Sequence, residues 1–251
     1  MGGENRGRVL VVLSGADQLR MKNGTVLKTG YYLNELSDPL GHLHRAGYRV
    51  DFASPGRRAP AIDPESLNFL KGEQKTQALA RVETREGLMR PLAIERITDD
   101  ELIDYSGVFV PGGHAPMADL ASMPQMKPLF EHFHRGFKPT CLICHGAAAL
   151  IPSITQDRPW IYKGYRMTCF PDWMDWVARV ILRHLPGKPP FSITRNLKRA
   201  GGLVRHNHFP RRPLIIEDHE LLTGQDPWSA DRLGREFVRK LKEYQKKEPF
   251  F

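Results

Sequence analysis

Three short apolar runs, each closed by a glycine, limit what this chain can fold into: "RVLVVLSG" (8–15), "GVFVPGG" (107–113) and "KPTCLICHG" (138–146). Their apolar residues are consecutive rather than alternating, and the runs are too short for helices. They therefore read as strands buried on both faces. "YRVDFASP" (48–55) adds a fourth such run, and "PLIIEDHELLTGQ" (213–225) a late strand and a turn. Helical patterns separate them. "YYLNELSDPLGHLHRAG" (31–47) stops at Gly47, with Pro39 expected to kink it or divide it in two. "DDELIDY" (99–105), "MPQMKPLFEHFHRG" (123–136) and "PDWMDWVARVILRHL" (171–185) follow. "DPWSADRLGREFVRKLKEYQ" (226–245) closes the chain, with Asp226 as N-cap and Pro227 in the first helical position. Strands alternating with helices imply βαβ units and hence an α/β fold, a mainly parallel sheet with helices on both faces. In such a sheet ligands bind outside the carboxyl ends of the strands, where the strand order reverses. Three strand ends here carry unusual residues: "LSG", "PGGH" and "CHG".

The 251 residues suffice for one sizeable domain over 1–251, with a small inserted lobe expected around 56–95. No apolar run approaches the ~18 residues of a membrane span. The opening "MGGENRGRVLVVLSG" has too short an apolar part for a secretory signal. Three cysteines make no disulfide framework, so a reducing cytoplasm is the expected compartment. The net charge of +9 comes from 37 basic and 28 acidic residues. Outside "HNHFPRR" and the closing helix the basic residues are scattered, which argues against nucleic acid as a partner.

In "CLICHGAAAL" (141–150) a strand would end at Cys144 and a helix of small residues begin at Gly146. A thiol at such an elbow meets the free N–H groups and positive dipole end of the helix, which favour thiolate and lower its pKa. An oxyanion formed by attack on a carbonyl would find the backbone N–H of His145 and a second from the Gly112–Gly113 turn, where no Cβ obstructs approach. His145 is either the base for Cys144 or a histidine that only braces the elbow. Cys141 and Cys144 form C-x-x-C, but a spacing of three along a strand would put them on opposite faces; Cys141 and Cys169 read as packing. His114 lines the glycine turn. His206 and His208 share one face of an extended segment, but two histidines without a third ligand are weak evidence for a metal, and no metal site is expected.

"LICHGAAAL", "PGGHAPMADL", "TGYYLNEL", "AGYRVDFASP", "DPESL" and "LLTGQDPWSA", in register over roughly residues 8–235, resemble the ThiJ/PfpI superfamily. That group is similar in fold to class I glutamine amidotransferases, and the branch resembled is the heat-shock chaperone and glutathione-independent glyoxalase (glyoxalase III) type. The resemblance implies a flavodoxin-like doubly wound sheet and a homodimer. It implies Cys144 as nucleophile, His145 as its partner, Glu35 of "TGYYLNE" as the acidic residue, and the glycine turn at Gly112 and Gly113. A third triad acid is expected after "GYRMTCF", where Asp172 and Asp175 compete. The implied substrate is methylglyoxal or glyoxal, converted to a 2-hydroxy acid without metal, nucleotide or glutathione, so no cofactor is expected. Alternatives on the same fold are a stress-response chaperone or deglycase and a Cys-His amidase or peptidase. Without the resemblance Glu35 would read as a surface helix glutamate. Three features depart from the pattern: Ala115 stands where the family often has glycine, the third triad acid has no single clean position and "PDWMDW" carries unusual aromatic bulk, and "SITRNLKRAGGLVRHNHFPRR" is unusually basic.

Overall fold

Val9, Leu10, Val11, Val12 and Leu13 are all buried, yet they divide by parity. Leu10 and Val12 join one hydrophobic cluster, and Val9, Val11 and Leu13 another. That is the signature of a strand with a core on each face. The same division recurs in Val108 and Val110 against Phe109, and in Leu142 against Cys141 and Ile143. In the computed structural model, which describes residues 6–83, 85–209 and 211–247, these strands belong to one seven-stranded sheet. The ends of the expected 1–251 span, including the first five residues of the opening stretch, lie outside the described residues.

The strands are β1 (Arg8–Val12), β2 (Arg49–Ser54), β3 (Leu92–Ala93), β4 (Tyr105–Val110), β5 (Thr140–Ile143), β6 (Ile215–Asp218) and β7 (Leu221–Gly224). Their order across the sheet is β6-β7-β5-β4-β1-β2-β3, and every pairing is parallel except β6 with β7. The fold is thus the α/β, flavodoxin-like, mainly parallel sheet expected, with the order reversing between β1 and β4. The late strand and turn prove to be a tight antiparallel hairpin, turning at His219 with φ +51.

One face is covered by α1 (Leu33–Arg45), α2 (Gly72–Glu83) and the closing helix, α5 (Ala230–Lys247). Leu33, Leu36, Leu40 and Leu43 of α1 are all within 1% of complete burial. Such spacing lays them along one stripe, each stabilising by roughly 1.5–3 kcal/mol. The other face carries α3 (Met126–Arg135) and a stretch from Cys144 to Ser153. A further helix, α4 (Asp172–Val180), begins where the pattern places it but stops short of Leu185. Between β2 and β3 the 56–95 stretch carries α2 and short helices over Pro64–Phe69 and Glu86–Met89.

Two local expectations are corrected. α1 runs unbroken through Pro39, which does not divide it. Pro39 is buried where α1 meets α5, and Gly234 admits that approach: a Cβ there would come within 2.8 Å of Pro39 Cα. The "GAAAL" segment is a 3₁₀ helix that already begins at Cys144, not an α-helix from Gly146.

Candidate active site

The ends of β4 and β5 meet beside the switch in strand order, whereas the "LSG" end of β1 is bonded to Asp119, with Ser14 Oγ donating to its Oδ1 at 2.7 Å and the Gly15 N–H to its Oδ2 at 2.9 Å. After β5 the chain reverses at Cys144, whose φ of +59 is a left-handed conformation rare for a residue with a side chain. The reversal corrects the reading of C-x-x-C: Cys144 lies beyond the strand, and it turns back into the cluster that also holds Cys141. Both thiols are free. After β4 come Gly112 and Gly113. Gly113 has φ +90, and a Cβ on it would stand 2.1 Å from the carbonyl oxygen of Gly30. At Gly112 a Cβ would meet Glu35 Oε2 at 2.5 Å, Cys144 Cβ at 2.6 Å and Ile143 O at 2.7 Å. This turn therefore brings backbone to within contact of both the thiol and the carboxyl.

Glu35 sits in the first turn of α1, fully buried. Neither of its oxygens has a well-formed hydrogen bond among the described residues; the Cys144 thiol and the Gly112 backbone favour its charge, while the carboxyl groups of Asp226 and Asp63 disfavour it. Burial pushes its pKa well above the ordinary carboxyl value. The same burial, with Glu35 alongside, pushes the Cys144 thiol up, although the backbone N–H groups of His145 and Gly113 pull the other way. Here the expectation of a lowered thiol pKa is overturned. The N-terminus of the 3₁₀ stretch does not compensate burial of a thiol that is 3% exposed and shares its site with a carboxyl. Burial thus disfavours charge on both members of the pair, and the site favours the protonated form of each.

Adjacent side chains on a turn usually diverge, yet the elbow brings His145 Nδ1 to 3.4 Å from Cys144 Sγ. Its Nε2 lies 3.3 Å from Asp175 Oδ2, and the ring stacks on Phe170 at 4.6 Å. Asp175 Oδ1 faces His114 Nε2 at 3.1 Å, and the two imidazoles lie 4.0 Å apart. Burial would raise the Asp175 pKa, but His145 and His114 more than offset it and hold the group well below the usual range. An ionised carboxylate can only accept, so each histidine presents Nε2–H to it, and Nδ1 of His145 is left with its lone pair toward the sulfur. Burial and the neighbouring His114 lower the His145 pKa, which keeps that lone pair free. For His114, burial is outweighed by Asp175 and the pKa rises.

The structure thus separates the two aspartates that the sequence left in competition. Asp175 is buried against both histidines, whereas Asp172 is exposed and accepts the Ser192 hydroxyl at 2.6 Å. Ala115 is fully buried behind the turn. Cys169 packs with its sulfur 3.5 Å from Thr194 Oγ1, and His206 Nε2 lies 3.1 Å from the same hydroxyl. His208 stands beside Trp173, ring to ring at 6.4 Å, and joins no ligand cluster with His206 among the described residues. His114, His145 and Asp175 place three ligand atoms within 4.8 Å, the spacing a divalent ion requires, but each is already engaged within the cluster.

Cys144, His145, His114 and Gly113 open onto a cavity of about 290 Å³. Its walls include Tyr32, Phe69, Phe170, Trp173 and Trp228, none of which the sequence reading singled out. The signal available was the aromatic content of "PDWMDW" and "DPWSA".

A model of the family described as "ThiJ/PfpI family-like" matches residues 26–192. Among curated proteins, the chain is 26% identical over 232 residues to the protein/nucleic acid deglycase HchA of Pseudomonas aeruginosa (strain UCBPP-PA14), covering 90% of this chain and 78% of that protein. A Staphylococcus aureus (strain bovine RF122 / ET3-1) protein of the same name is also 26% identical, covering 95% of this chain and 81% of its own. Among solved structures, the Rapid Encystment Protein 24 KDa of Francisella tularensis superimposes with a TM-score of 0.80 at 20% identity, covering 94% of this chain and 99% of that one. Glyoxalase III from Candida albicans superimposes with a TM-score of 0.75 at 19% identity, covering 95% and 98%.

Proposed function

Since the chain belongs to the ThiJ/PfpI family, we propose that Cys144, His145, Asp175 and Glu35 form a catalytic site that converts 2-oxoaldehydes to 2-hydroxy acids without glutathione. Methylglyoxal to lactate is the simplest case. The observation that carries this reading is the fully buried, poorly partnered Glu35 directly beside the Cys144 thiol. The names of the HchA deglycases and of the fungal glyoxalase III agree with it.

The proposed chemistry balances with these residues alone. Cys144 gives its proton to His145 Nδ1 and attacks the aldehyde carbon. The new C–S bond leaves an oxyanion beside the N–H groups of His145 and Gly113, and Glu35 protonates it to a hemithioacetal. Glu35 is now a carboxylate in a site that disfavours its charge. The burial that raised its pKa makes it a correspondingly strong base. It removes the proton from the carbon bearing sulfur, while the protonated His145 supplies one to the adjacent carbonyl oxygen, giving an enediol. Glu35 then delivers its proton to the neighbouring carbon as His145 takes the hydroxyl proton, and a thioester results. Water, deprotonated by Glu35, displaces the thiol, which regains its proton from His145. The net reaction consumes one water, and nothing is oxidised overall.

Asp175 holds the tautomer of His145, and His114 shares that carboxylate. A hydrolase reading draws on the same Cys-His-Asp arrangement, but amide cleavage has no use for a protonated carboxyl against the sulfur. The test is 2-hydroxy acid formation from methylglyoxal in glutathione-free buffer. The wild type is expected to turn over, and Cys144→Ser to lose nearly all activity. Equal rates for the two proteins would overturn the reading, and a wild type that cleaves amides but not methylglyoxal would replace it with the hydrolase.

A further inference from the structure

We infer that the substrate is an uncharged 2-oxoaldehyde with an apolar group, aryl or branched alkyl, on its ketone carbon, rather than methylglyoxal itself. The inference rests on the glyoxalase-type reading of the site and narrows its substrate class. A cavity of about 290 Å³ would hold roughly ten waters at liquid density. A three-carbon dicarbonyl bound at Cys144 would leave most of that space as water against apolar walls. Beyond the reactive end, the walls are Phe69, Phe170, Met174, Val177, Leu185 and Trp228.

The aromatic side is a fixed surface and not a set of loose side chains. Tyr32 meets Phe69 edge to face at 5.6 Å, and Phe69 meets Trp228 in the same way at 5.4 Å. Such rings prefer edge-to-face or offset packing, and a further ring extends the series at little entropic cost. No lysine or arginine lines this cavity among the described residues. The charged groups that do are already engaged away from the reacting carbonyl. Asp63 accepts the Thr29 hydroxyl at 2.7 Å and the Glu65 N–H at 2.9 Å, and Glu65 lies 3.5 Å from His184 in a half-exposed pair. An anionic carbonyl compound, such as a keto acid or sugar phosphate, would meet desolvation with no lysine or arginine to offset it, and the wall histidines His114 and His184 already face Asp175 and Glu65. Apolar contact is what the cavity offers, and contact of this kind discriminates by the size of the group that fills it.

For phenylglyoxal the bonds made and broken are those described above: addition of sulfur to the aldehyde, transfer of the proton to the ring-bearing carbon, and release by water as mandelate. The test compares initial-rate kcat/KM for phenylglyoxal and methylglyoxal without glutathione. The expected ratio favours phenylglyoxal by ~10-fold or more, since a filled apolar pocket discriminates on that scale. Phe69→Ala should narrow the ratio by lowering the phenylglyoxal value. In parallel, equilibrium dialysis of wild-type protein against acetophenone and acetone reads the cavity without any chemistry, and acetophenone should bind at least ~10-fold more tightly. Turnover of methylglyoxal at an equal or higher kcat/KM would overturn this inference while leaving the glyoxalase reading in place. Absence of turnover with both aldehydes, alongside preferential binding of acetophenone, would overturn the reading of the reaction and with it the substrate class. Equal binding of the two ketones would overturn the size preference whatever the kinetics.

Discussion

Replacing Glu35 by glutamine exposes the state of the buried carboxyl through the pH dependence of stability. In the unfolded chain a glutamate releases its proton near pH ~4.3. In the folded chain burial raises the value. Above the unfolded value, therefore, the native state must keep a proton that the unfolded state has already shed. Stability falls as pH rises, until the folded pKa is passed. The slope is at most about 1.4 kcal/mol per pH unit for one group. A glutamine side chain cannot titrate, so Glu35→Gln lacks this slope. Between about pH 5 and pH 7 its stability relative to wild type should climb by up to about 3 kcal/mol. The buried amide adds a cost of roughly 1–3 kcal/mol if its N–H groups find no acceptor, but that cost does not vary with pH. For a chain of this size 1 kcal/mol moves Tm by about 2–4 °C. Thermal melts followed by circular dichroism should thus show the Tm difference, variant minus wild type, rising with pH by up to about 5–10 °C over that range. A constant difference across the same range would mean that Glu35 titrates normally, and the proton-carrying role would have no physical basis.

Asp175→Asn should lower kcat by roughly a hundred- to ten-thousand-fold, because an amide no longer fixes His145 with its lone pair toward the sulfur; Asp172→Asn in the same assay should change it less than about threefold, since Asp172 meets only Ser192. Cys144 lines the cavity whereas Cys141 and Cys169 do not, so peptide mapping after limiting iodoacetamide should find Cys144 labelled first, with a rate that climbs with pH through and beyond neutrality; equal labelling of the three would contradict this. Gly112→Ala places a methyl among Glu35, Cys144 and the Ile143 carbonyl, and chemical denaturation should show a loss of about 1–3 kcal/mol together with loss of turnover.

The sheet was legible because its strands are buried on both faces, so "RVLVV", "VFV" and "CLI" are continuous apolar runs that no surface element would show. Pro39 misled because its effect depends on context: the proline lies where Gly234 lets α5 close over it, a contact between residues 195 positions apart in sequence. The elbow at Cys144 could be read from local pattern. The direction of its pKa shift could not, because it depends on burial and on Glu35, which comes from a different strand–helix unit. Glu35 itself reads as an ordinary helix glutamate, and only family resemblance marked it. Asp172 and Asp175 occupy the same first turn of α4 and are the same residue type, so hydropathy could not choose between them; the positions of His114 and His145 do. The aromatic walls come from four separate segments, around Tyr32, Phe69, residues 170–173 and Trp228, and their convergence is a tertiary fact.

The central claim is that substrate carbon becomes bonded to Cys144 on the way to product. Wild-type protein mixed with excess methylglyoxal, quenched in acid within a turnover and digested, should yield the Cys144 peptide carrying the added mass of one methylglyoxal. Hydroxylamine should release that mass as lactohydroxamate, the product of a thioester, whereas a hemithioacetal gives back methylglyoxal, trapped as its oxime. Glu35→Gln should yield no lactohydroxamate. A wild type that makes lactate at full rate with no lactohydroxamate released from Cys144, and with undiminished turnover in Cys144→Ser, would contradict the account.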